Sequence, residues 1–124
     1  MTRLLIVDDD ESMLESIIDW IDFKRPDAHY DSASNGLEAL ELLRNGQYNV
    51  VVCDWEMPEL DGPGLFSRMV ELGFNVPFIL LTGNVEPYNI AKITALGIKL
   101  YMPKPFKLTE LDLLIDQAIS EAVS

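Results

Sequence analysis

The sequence is poor in cysteine, histidine and basic residues, and each shortage excludes a class of protein. Its 124 residues include one cysteine, Cys53, and one histidine, His29. A single cysteine cannot form a disulfide within the chain, and a lone histidine without a second ligand at metal-binding spacing is interpreted as a strand-edge residue. Nine Lys and Arg against 21 Asp and Glu leave a net charge of -12. This charge repels a phosphate backbone, so we do not expect the chain alone to bind nucleic acid.

Long apolar runs are also missing. The longest runs, such as 50–53 and 78–81, have the length of a strand, whereas a membrane-spanning helix needs about 20 apolar residues. Asp8 interrupts the first apolar stretch after four residues, which is too short for a secretory signal peptide. We therefore expect a cytoplasmic protein without a membrane span.

The length is that of one domain. Residues 1–124 are expected to form a single domain around one core, for which 48% hydrophobic residues are available. No residues remain after the last helical pattern for an output domain. The alternative that the chain has been excised from a longer protein stays open.

Short apolar runs without alternation predict strands buried on both faces, the pattern of a parallel sheet. Stretches with apolar residues at helical spacing separate these runs. The apolar runs 4–7, 50–53, 78–81 and 100–102 predict four strands, and a weaker strand at 29–32 fits between the first two helices. A helical pattern follows each of the five. Five consecutive βα units predict an α/β fold with helices on both faces of a five-stranded parallel sheet.

Polar residues with capping ability mark the beginnings of three helices. Asp10 is predicted to cap the first helix. Asn35 with Glu38, and Thr109 with Asp112, have the spacing of a capping box. In this motif the first side chain accepts a hydrogen bond from a backbone N–H of the helix, and the acid three residues later accepts one from the backbone N–H of the first residue.

Polar residues also stand at the carboxyl ends of the predicted strands, where parallel α/β sheets bind ligands. They are Asp8, Asp9 and Asp10 after the first strand, Asp54 after the third, Thr82 after the fourth and Lys104 after the fifth. If the first and third strands are neighbours, their carboxylates repel one another and attract a cation. Carboxylate oxygens in a watered site suit Mg²⁺. A carboxylate nucleophile, a metal, a hydroxyl and an ammonium are the groups that phosphoryl transfer requires.

Four segments carry a resemblance to a known family. They are LLIVDDD at 4–10, VVCDWEMPELDG at 51–62, ILLTG at 79–83 and YMPKPF at 101–106. In this order and spacing they resemble the response-regulator receiver domain of two-component signalling, in its single-domain, chemotaxis-regulator-like form. The resemblance covers essentially the whole chain and implies a flavodoxin-like doubly wound sheet with the strand order 2-1-3-4-5.

The resemblance implies a phosphorylation-controlled switch that promotes only its own phosphoryl transfer and dephosphorylation and is not otherwise an enzyme. Asp54 would accept a phosphoryl group from a phosphohistidine on a histidine kinase or a histidine phosphotransfer protein. Asp9 and Asp54 would bind Mg²⁺, Asp8 would support it partly through water, and the backbone carbonyl of Glu56 would complete the protein ligands. The Glu56 side chain is open to three interpretations: a contact with Lys104, hindrance of the water that hydrolyses the acyl phosphate, or a solvated loop position.

Further residues would carry the conformational response. The resemblance implies that Thr82 and Lys104 bind phosphoryl oxygens, that Tyr101 reports the switch through its rotamer, and that the Lys104–Pro105 peptide is cis. A downstream protein partner would bind the face formed by the fourth helix, the fifth strand and the fifth helix.

The segment Ile98-Lys99-Leu100 departs from one large subfamily of DNA-binding relatives, which typically have acidic residues before this tyrosine. The charged dimer of that subfamily is therefore not expected here. Core packing is expected for Leu100 more than for Ile98.

Other functions compete with the switch. A Mg²⁺-dependent phosphohydrolase would share the Asp-x-Asp pattern at 8–10, but the chain lacks the following Gly-Thr type of turn and has no room for a cap over substrate. A flavin-phosphate site would need a Ser, Thr or Gly-rich loop where three aspartates stand. A phosphate-independent interaction module stays open.

Overall fold

Strands and helices alternate along the chain in the order that the apolar runs predict. The computed structural model describes residues 2–123. Its elements are β1 (Arg3–Val7), α1 (Glu11–Lys24), β2 (His29–Ala33), α2 (Gly36–Asn45), β3 (Val50–Asp54), α3 (Gly62–Glu71), β4 (Phe78–Thr82), α4 (Pro87–Leu96), β5 (Leu100–Pro103) and α5 (Leu108–Val123). None of the helices in this described part of the chain combines the length and apolar character that a membrane crossing requires.

The strands form one parallel sheet in the order β2-β1-β3-β4-β5, which confirms the expected fold and strand order. β1 pairs with both β2 and β3, so the order reverses beside β1. In doubly wound sheets such a reversal opens a crevice at the carboxyl ends of the strands. The fold therefore directs the search for a site to the carboxyl ends of β1 and β3.

Two apolar layers cover the two faces of the sheet. Successive strand residues point to opposite faces; in β1, Leu4 and Ile6 join one core cluster while Leu5 and Val7 join the other. Helices α1 and α5 supply the first cluster, and α2, α3 and α4 supply the second. Because both faces are covered, the central strands need apolar residues at every position, which explains the missing alternation in the sequence.

Two of the predicted helix caps are confirmed. The Asp10 side chain accepts hydrogen bonds from the backbone N–H groups of Ser12 and Met13 at 3.0 and 3.3 Å. The Asn35 side chain accepts one from the backbone N–H of Glu38 at 2.8 Å, whereas the Glu38 carboxylate, expected to complete the capping box, accepts a hydrogen bond from the Ser34 hydroxyl at 3.1 Å. Each bond to Asp10 or Asn35 satisfies a donor that the first turn of a helix leaves without a partner.

The predicted cap at Thr109 is wrong. Helix α5 begins at Leu108, and the backbone carbonyl of Lys107 accepts the first helical N–H groups, so Thr109 lies inside the first turn. Asp112, the acid expected to answer the cap, binds Arg25 instead. The capping-box spacing is a local pattern and cannot reveal a partner 87 residues away in the chain.

The expected burial order of Ile98 and Leu100 is also wrong. Ile98 is 3% exposed, whereas Leu100 is half-buried. Gly97 ends α4 in the left-handed conformation, with a φ of 105°, and the N–H of Ile98 donates to the carbonyl of Ile93 at 3.1 Å. In this helix ending the residue after the glycine packs back against the last turn, so Ile98 joins Ile93 in the core.

Candidate functional site

Three carboxylates meet at the carboxyl ends of β1 and β3. Val7 pairs in register with Cys53, so the residues that follow them, Asp8 and Asp54, extend from neighbouring strands. Asp8, Asp9 and Asp54 each place a carboxylate oxygen within 4.8 Å of the others. The fold thus brings together the three aspartates that the sequence indicates as candidate metal ligands.

Asp8 is the most buried member of this cluster, with no exposed surface. Its Oδ1 accepts a hydrogen bond from the backbone N–H of Asp10 at 2.9 Å, while its buried Oδ2 has no partner within the described residues. Burial raises the pKa of the Asp8 carboxyl to about 6, and the charge of Asp54 adds to this, although the Asp10 N–H and Lys104 oppose it. A buried carboxylate oxygen without a donor, beside two other carboxylates, fits a hard divalent cation.

Lys104 binds the carboxylate of Asp54. Its Nζ lies 2.6 Å from Asp54 Oδ1, and the two side chains are 28% and 11% exposed. Although burial opposes the charged form, the hydrogen bond to Asp54 and the charges of the surrounding aspartates raise the pKa of Lys104. Its backbone N–H donates to the carbonyl of Thr82 at 2.7 Å, which attaches the loop after β5 to the end of β4. The Lys104–Pro105 peptide bond in this loop is cis.

Thr82 is the last residue of β4 and is 1% exposed. Its hydroxyl accepts a hydrogen bond from the backbone N–H of Asn84 at 3.0 Å and donates one to the Asn84 carbonyl at 3.1 Å. The only proton of this hydroxyl is therefore used within its own turn.

Glu56 and Tyr101 are both exposed in the structure. Glu56 lies in the loop after β3, and within residues 2–123 no ion pair joins its side chain to Lys104, whose ammonium binds Asp54. Tyr101 in β5 is 37% exposed. The structure therefore favours the solvated position for the Glu56 side chain over a contact with Lys104.

The loop between β3 and α3 packs closely under Asp54. The N–H of Gly62 donates to the carbonyl of Trp55 at 2.8 Å. A Cβ at Gly62 would lie 2.5 Å from the carbonyl oxygen of Asp54 and 2.6 Å from Cδ1 of Leu80. The missing side chain of Gly62 therefore makes room for the backbone of Asp54.

A cleft of about 470 Å³ opens beside Asp54. Its lining includes the site residues Asp54, Glu56, Thr82 and Lys104, together with Trp55, Gly83, Asn84, Asn89 and Lys92. Asn89 and Lys92 belong to α4 and were not identified from the sequence. The only sequence signal is their spacing of three residues, which places them on one side of the helix without indicating which side faces the cleft.

Comparisons with known proteins agree with this geometry. The sequence profile described as the response regulator receiver domain matches residues 4–116. The chain belongs to the response-regulator receiver family. It is 36% identical over 110 residues to the response regulator MprA of Mycobacterium sp. (strain KMS), covering 88% of this chain and 46% of that protein. It is 30% identical over 120 residues to the response regulator SaeR of Staphylococcus aureus (strain USA300), covering 97% of this chain and 51% of that protein.

Solved receiver structures have the same fold. The receiver domain of the Francisella response regulator 1452 has a TM-score of 0.88 and 29% identity, with 98% of this chain and 99% of that chain covered. A CheY-like receiver from Methanospirillum hungatei JF-1 has a TM-score of 0.88 and 26% identity, with 98% and 95% covered. This receiver spans about half the length of the curated relatives it matches.

Membership in the family gives the general function. Receiver domains are phosphorylation-controlled signalling switches of two-component systems rather than conventional enzymes, and this function is favoured over a phosphate-independent interaction module. Receiver domains generally bind Mg²⁺ at an acidic pocket and interact with phosphodonors and downstream effectors.

Proposed function

We propose that Asp54 is the phosphoryl acceptor of this receiver. The observation that supports it most directly is the position of Asp54, which has a carboxylate oxygen within 4.8 Å of those of Asp8 and Asp9 and accepts the ammonium of Lys104 at 2.6 Å. The donor is a phosphohistidine on a histidine kinase or a histidine phosphotransfer protein. An oxygen of Asp54 attacks the phosphorus, the P–N bond breaks, and the leaving imidazole keeps the electron pair and takes a proton from solvent.

The proposed Mg²⁺ ligands are the carboxylates of Asp8, Asp9 and Asp54 and the backbone carbonyl of Glu56. The mutual proximity of the three aspartates and the unpartnered Oδ2 of Asp8 support this set. When bound there, Mg²⁺ supplies positive charge that offsets the phosphoryl oxygens. The residues of the chain contribute the orientation of the acceptor, since both β1 and β3 end at the same edge of the sheet.

Thr82, Lys104 and Tyr101 are proposed to convert phosphorylation into a conformational change. The new acyl phosphate adds charge and acceptor oxygens, and Lys104 already lies against Asp54. For Thr82 to donate to a phosphoryl oxygen, its hydroxyl must give up the bond to the Asn84 carbonyl. The turn after β4 therefore moves with Thr82, and the exposed ring of Tyr101 on the adjacent strand follows the displaced turn.

The surface formed by α4, β5 and α5 is proposed to bind the downstream protein. Large exposed apolar side chains support this choice: Tyr88 and Leu96 on α4, Tyr101 on β5 and Leu113 on α5.

We further propose that the net charge of -12 excludes nucleic acid as a direct ligand of this chain, that the receiver acts in the cytoplasm, and that residues 1–124 act as one receiver domain.

Incubation with acetyl phosphate followed by intact-mass measurement tests the acceptor. Wild type with Mg²⁺ should gain one phosphoryl group, while wild type in EDTA and Asp54→Asn with Mg²⁺ should gain none. Asp10→Asn is the matched control, because asparagine caps a helix as well as aspartate does and Asp10 is not a proposed ligand. An adduct on Asp54→Asn would reject this acceptor, and an adduct formed in EDTA would reject the metal requirement. No adduct on wild type, together with no response to beryllofluoride, would favour the phosphate-independent module.

A further inference from the structure

Two lysines from different elements line the cleft beside Asp54. Lys104 follows β5, and Lys92 belongs to α4. Lys104 already binds the Asp54 carboxylate at 2.6 Å. Lys92 is exposed, and within residues 2–123 its side chain takes part in no hydrogen bond or ion pair. In the part of the chain that the structure describes, the cleft thus contains one lysine that is ion-paired and one that has no partner.

Phosphorylation changes the charge balance of this cleft. The acyl phosphate replaces the single negative charge of the Asp54 carboxylate with a phosphoryl charge of about -1.5 to -2, and the carboxylates of Asp8 and Asp9 lie beside it. Besides the proposed Mg²⁺, Lys104 is the one cation among the described residues that already binds at this position. A flexible lysine on the cleft wall is free to approach the new oxygens without breaking an existing interaction.

We infer that Lys92 is a second phosphoryl-binding cation, carried by α4 and engaged only after Asp54 is phosphorylated. This inference rests on the proposed function. It gives the phosphoryl group a direct link to α4, in addition to the link through Thr82 and its turn. Since α4 is part of the proposed partner surface, the same contact stabilises the acyl phosphate and favours one position of the helix.

Glu56 is the competing partner for Lys92. Glu56 lines the same cleft and is exposed, so its carboxylate is the alternative anion for Lys92. If phosphorylation drives Lys92 to Glu56 instead, Glu56→Gln would reproduce the effect of removing the lysine. If Lys92 binds the phosphoryl group, Glu56→Gln would leave the effect of Lys92→Gln intact.

The affinity for beryllofluoride and the rate of dephosphorylation test the role of Lys92 directly. Trp55 lines the same cleft, so its fluorescence in the full chain with Mg²⁺ follows binding of the phosphoryl mimic. Lys92→Gln should raise the half-saturating beryllofluoride concentration about two- to fivefold, as is typical of a partly exposed ion pair. The same variant should shorten the lifetime of the phosphorylated protein, measured by intact mass. Lys92→Arg should restore both values, and added salt should reduce the difference between wild type and Lys92→Gln.

Lys99→Gln is the control of equal charge, because Lys99 is exposed and lines a different cleft at the other end of β5. Thermal unfolding of each variant verifies that the fold is intact. Equal affinity and lifetime in Lys92→Gln and Lys99→Gln would overturn the inference, as would a Lys92→Gln effect that disappears in the Glu56→Gln background. Failure of wild type itself to take up a phosphoryl group would instead overturn the proposed function, so the two failures are distinguishable.

Discussion

The ammonium nitrogen of Lys104 lies 2.6 Å from Oδ1 of Asp54, joining the loop after β5 to the end of β3 across the intervening strand β4. This ion pair occupies one oxygen of the proposed phosphoryl acceptor. It also places a positive charge beside the carboxylates that are proposed to bind Mg²⁺. Lys104 therefore has two opposing effects, since it stabilises the phosphoryl group and repels the metal.

Removing this charge should strengthen metal binding. We expect Lys104→Met to bind Mg²⁺ several-fold more tightly than wild type, because the ammonium no longer competes for Asp54 or repels the cation. Isothermal titration or Trp55 fluorescence measures the affinity. Lys99→Met, which removes an exposed lysine away from the site, should match wild type. Unchanged or weaker Mg²⁺ binding by Lys104→Met would show that the ion pair does not oppose the metal.

Burial of Asp8 predicts that the metal-free protein loses unfolding free energy as the pH rises. The pKa of this carboxyl is about 6 in the folded chain against a usual value of 3.8, so the folded state holds the proton more tightly. The stability contributed by protonated Asp8 is fully present below pH 3.8 and is lost as the pH rises through about 6. Asp8→Asn removes this loss, so its stability relative to wild type should rise by about 2 to 3 kcal/mol between pH 4 and pH 8.

Urea unfolding in EDTA measures this difference. Asp27→Asn, the same change of side chain at an exposed turn residue, is the control. Saturating Mg²⁺ should lower the stability of Asp8→Asn relative to wild type, because the metal stabilises wild type by binding the folded state and Asp8→Asn lacks a proposed ligand. A pH-independent difference between Asp8→Asn and wild type would contradict the assigned effect of burial.

The contacts of Arg25 predict unequal effects of its two acidic partners. Arg25 Nε lies 2.8 Å from Asp112 Oδ1, and Arg25 Nη2 lies 2.7 Å from Asp116 Oδ1. The Asp112 side chain is 10% exposed, whereas that of Asp116 is 60% exposed. Arg25→Gln should cost about 2 to 3 kcal/mol of unfolding free energy because it leaves a nearly buried carboxylate without its cation.

Asp116→Asn should cost less than about 1 kcal/mol, since solvent screens the exposed partner. Arg44→Gln removes a surface pair with Glu41 at 3.7 Å and should also have a small effect. Chemical denaturation of the variants provides the comparison. Equal losses in Arg25→Gln and Arg44→Gln would mean that burial of Asp112 does not strengthen its pair.

The close approach at Gly62 predicts a steric defect. Gly62→Ala should destabilise the fold by about 1 to 3 kcal/mol, because the new Cβ would meet the carbonyl oxygen of Asp54 and Cδ1 of Leu80. It should also weaken Mg²⁺ binding by displacing the backbone of Asp54. Gly83→Ala is the matched control, since a Cβ there meets nothing within 4 Å. Similar melting temperatures for both variants would contradict a tightly packed loop.

Much of the candidate site could be predicted because its residues end strands that the sequence makes recognisable. Asp54 and Thr82 follow buried apolar runs, and parallel pairing brings the carboxyl ends of those runs to one edge. The roles of these residues in phosphorylation stay predictions. Contacts that join distant segments were not predictable in this way. Asp112 has the spacing of a capping-box acid, yet its carboxylate binds Arg25, the residue that follows α1. Nothing in the local sequence distinguishes a capping acid from an acid that pairs with a distant arginine.

The sequence by itself determined the alternation of strands and helices, the burial of the central strands on both faces and the polar residues at their carboxyl ends. These properties can be predicted because the spacing and order of apolar and polar residues along the chain indicate which segments form strands or helices. Only the tertiary structure decided that Oδ2 of Asp8 is buried without a donor from residues 2–123, that Lys104 binds Oδ1 of Asp54, and that Lys92 faces the same cleft. Those facts depend on distances between atoms on different elements, and such distances are settled only when the helices pack against the sheet.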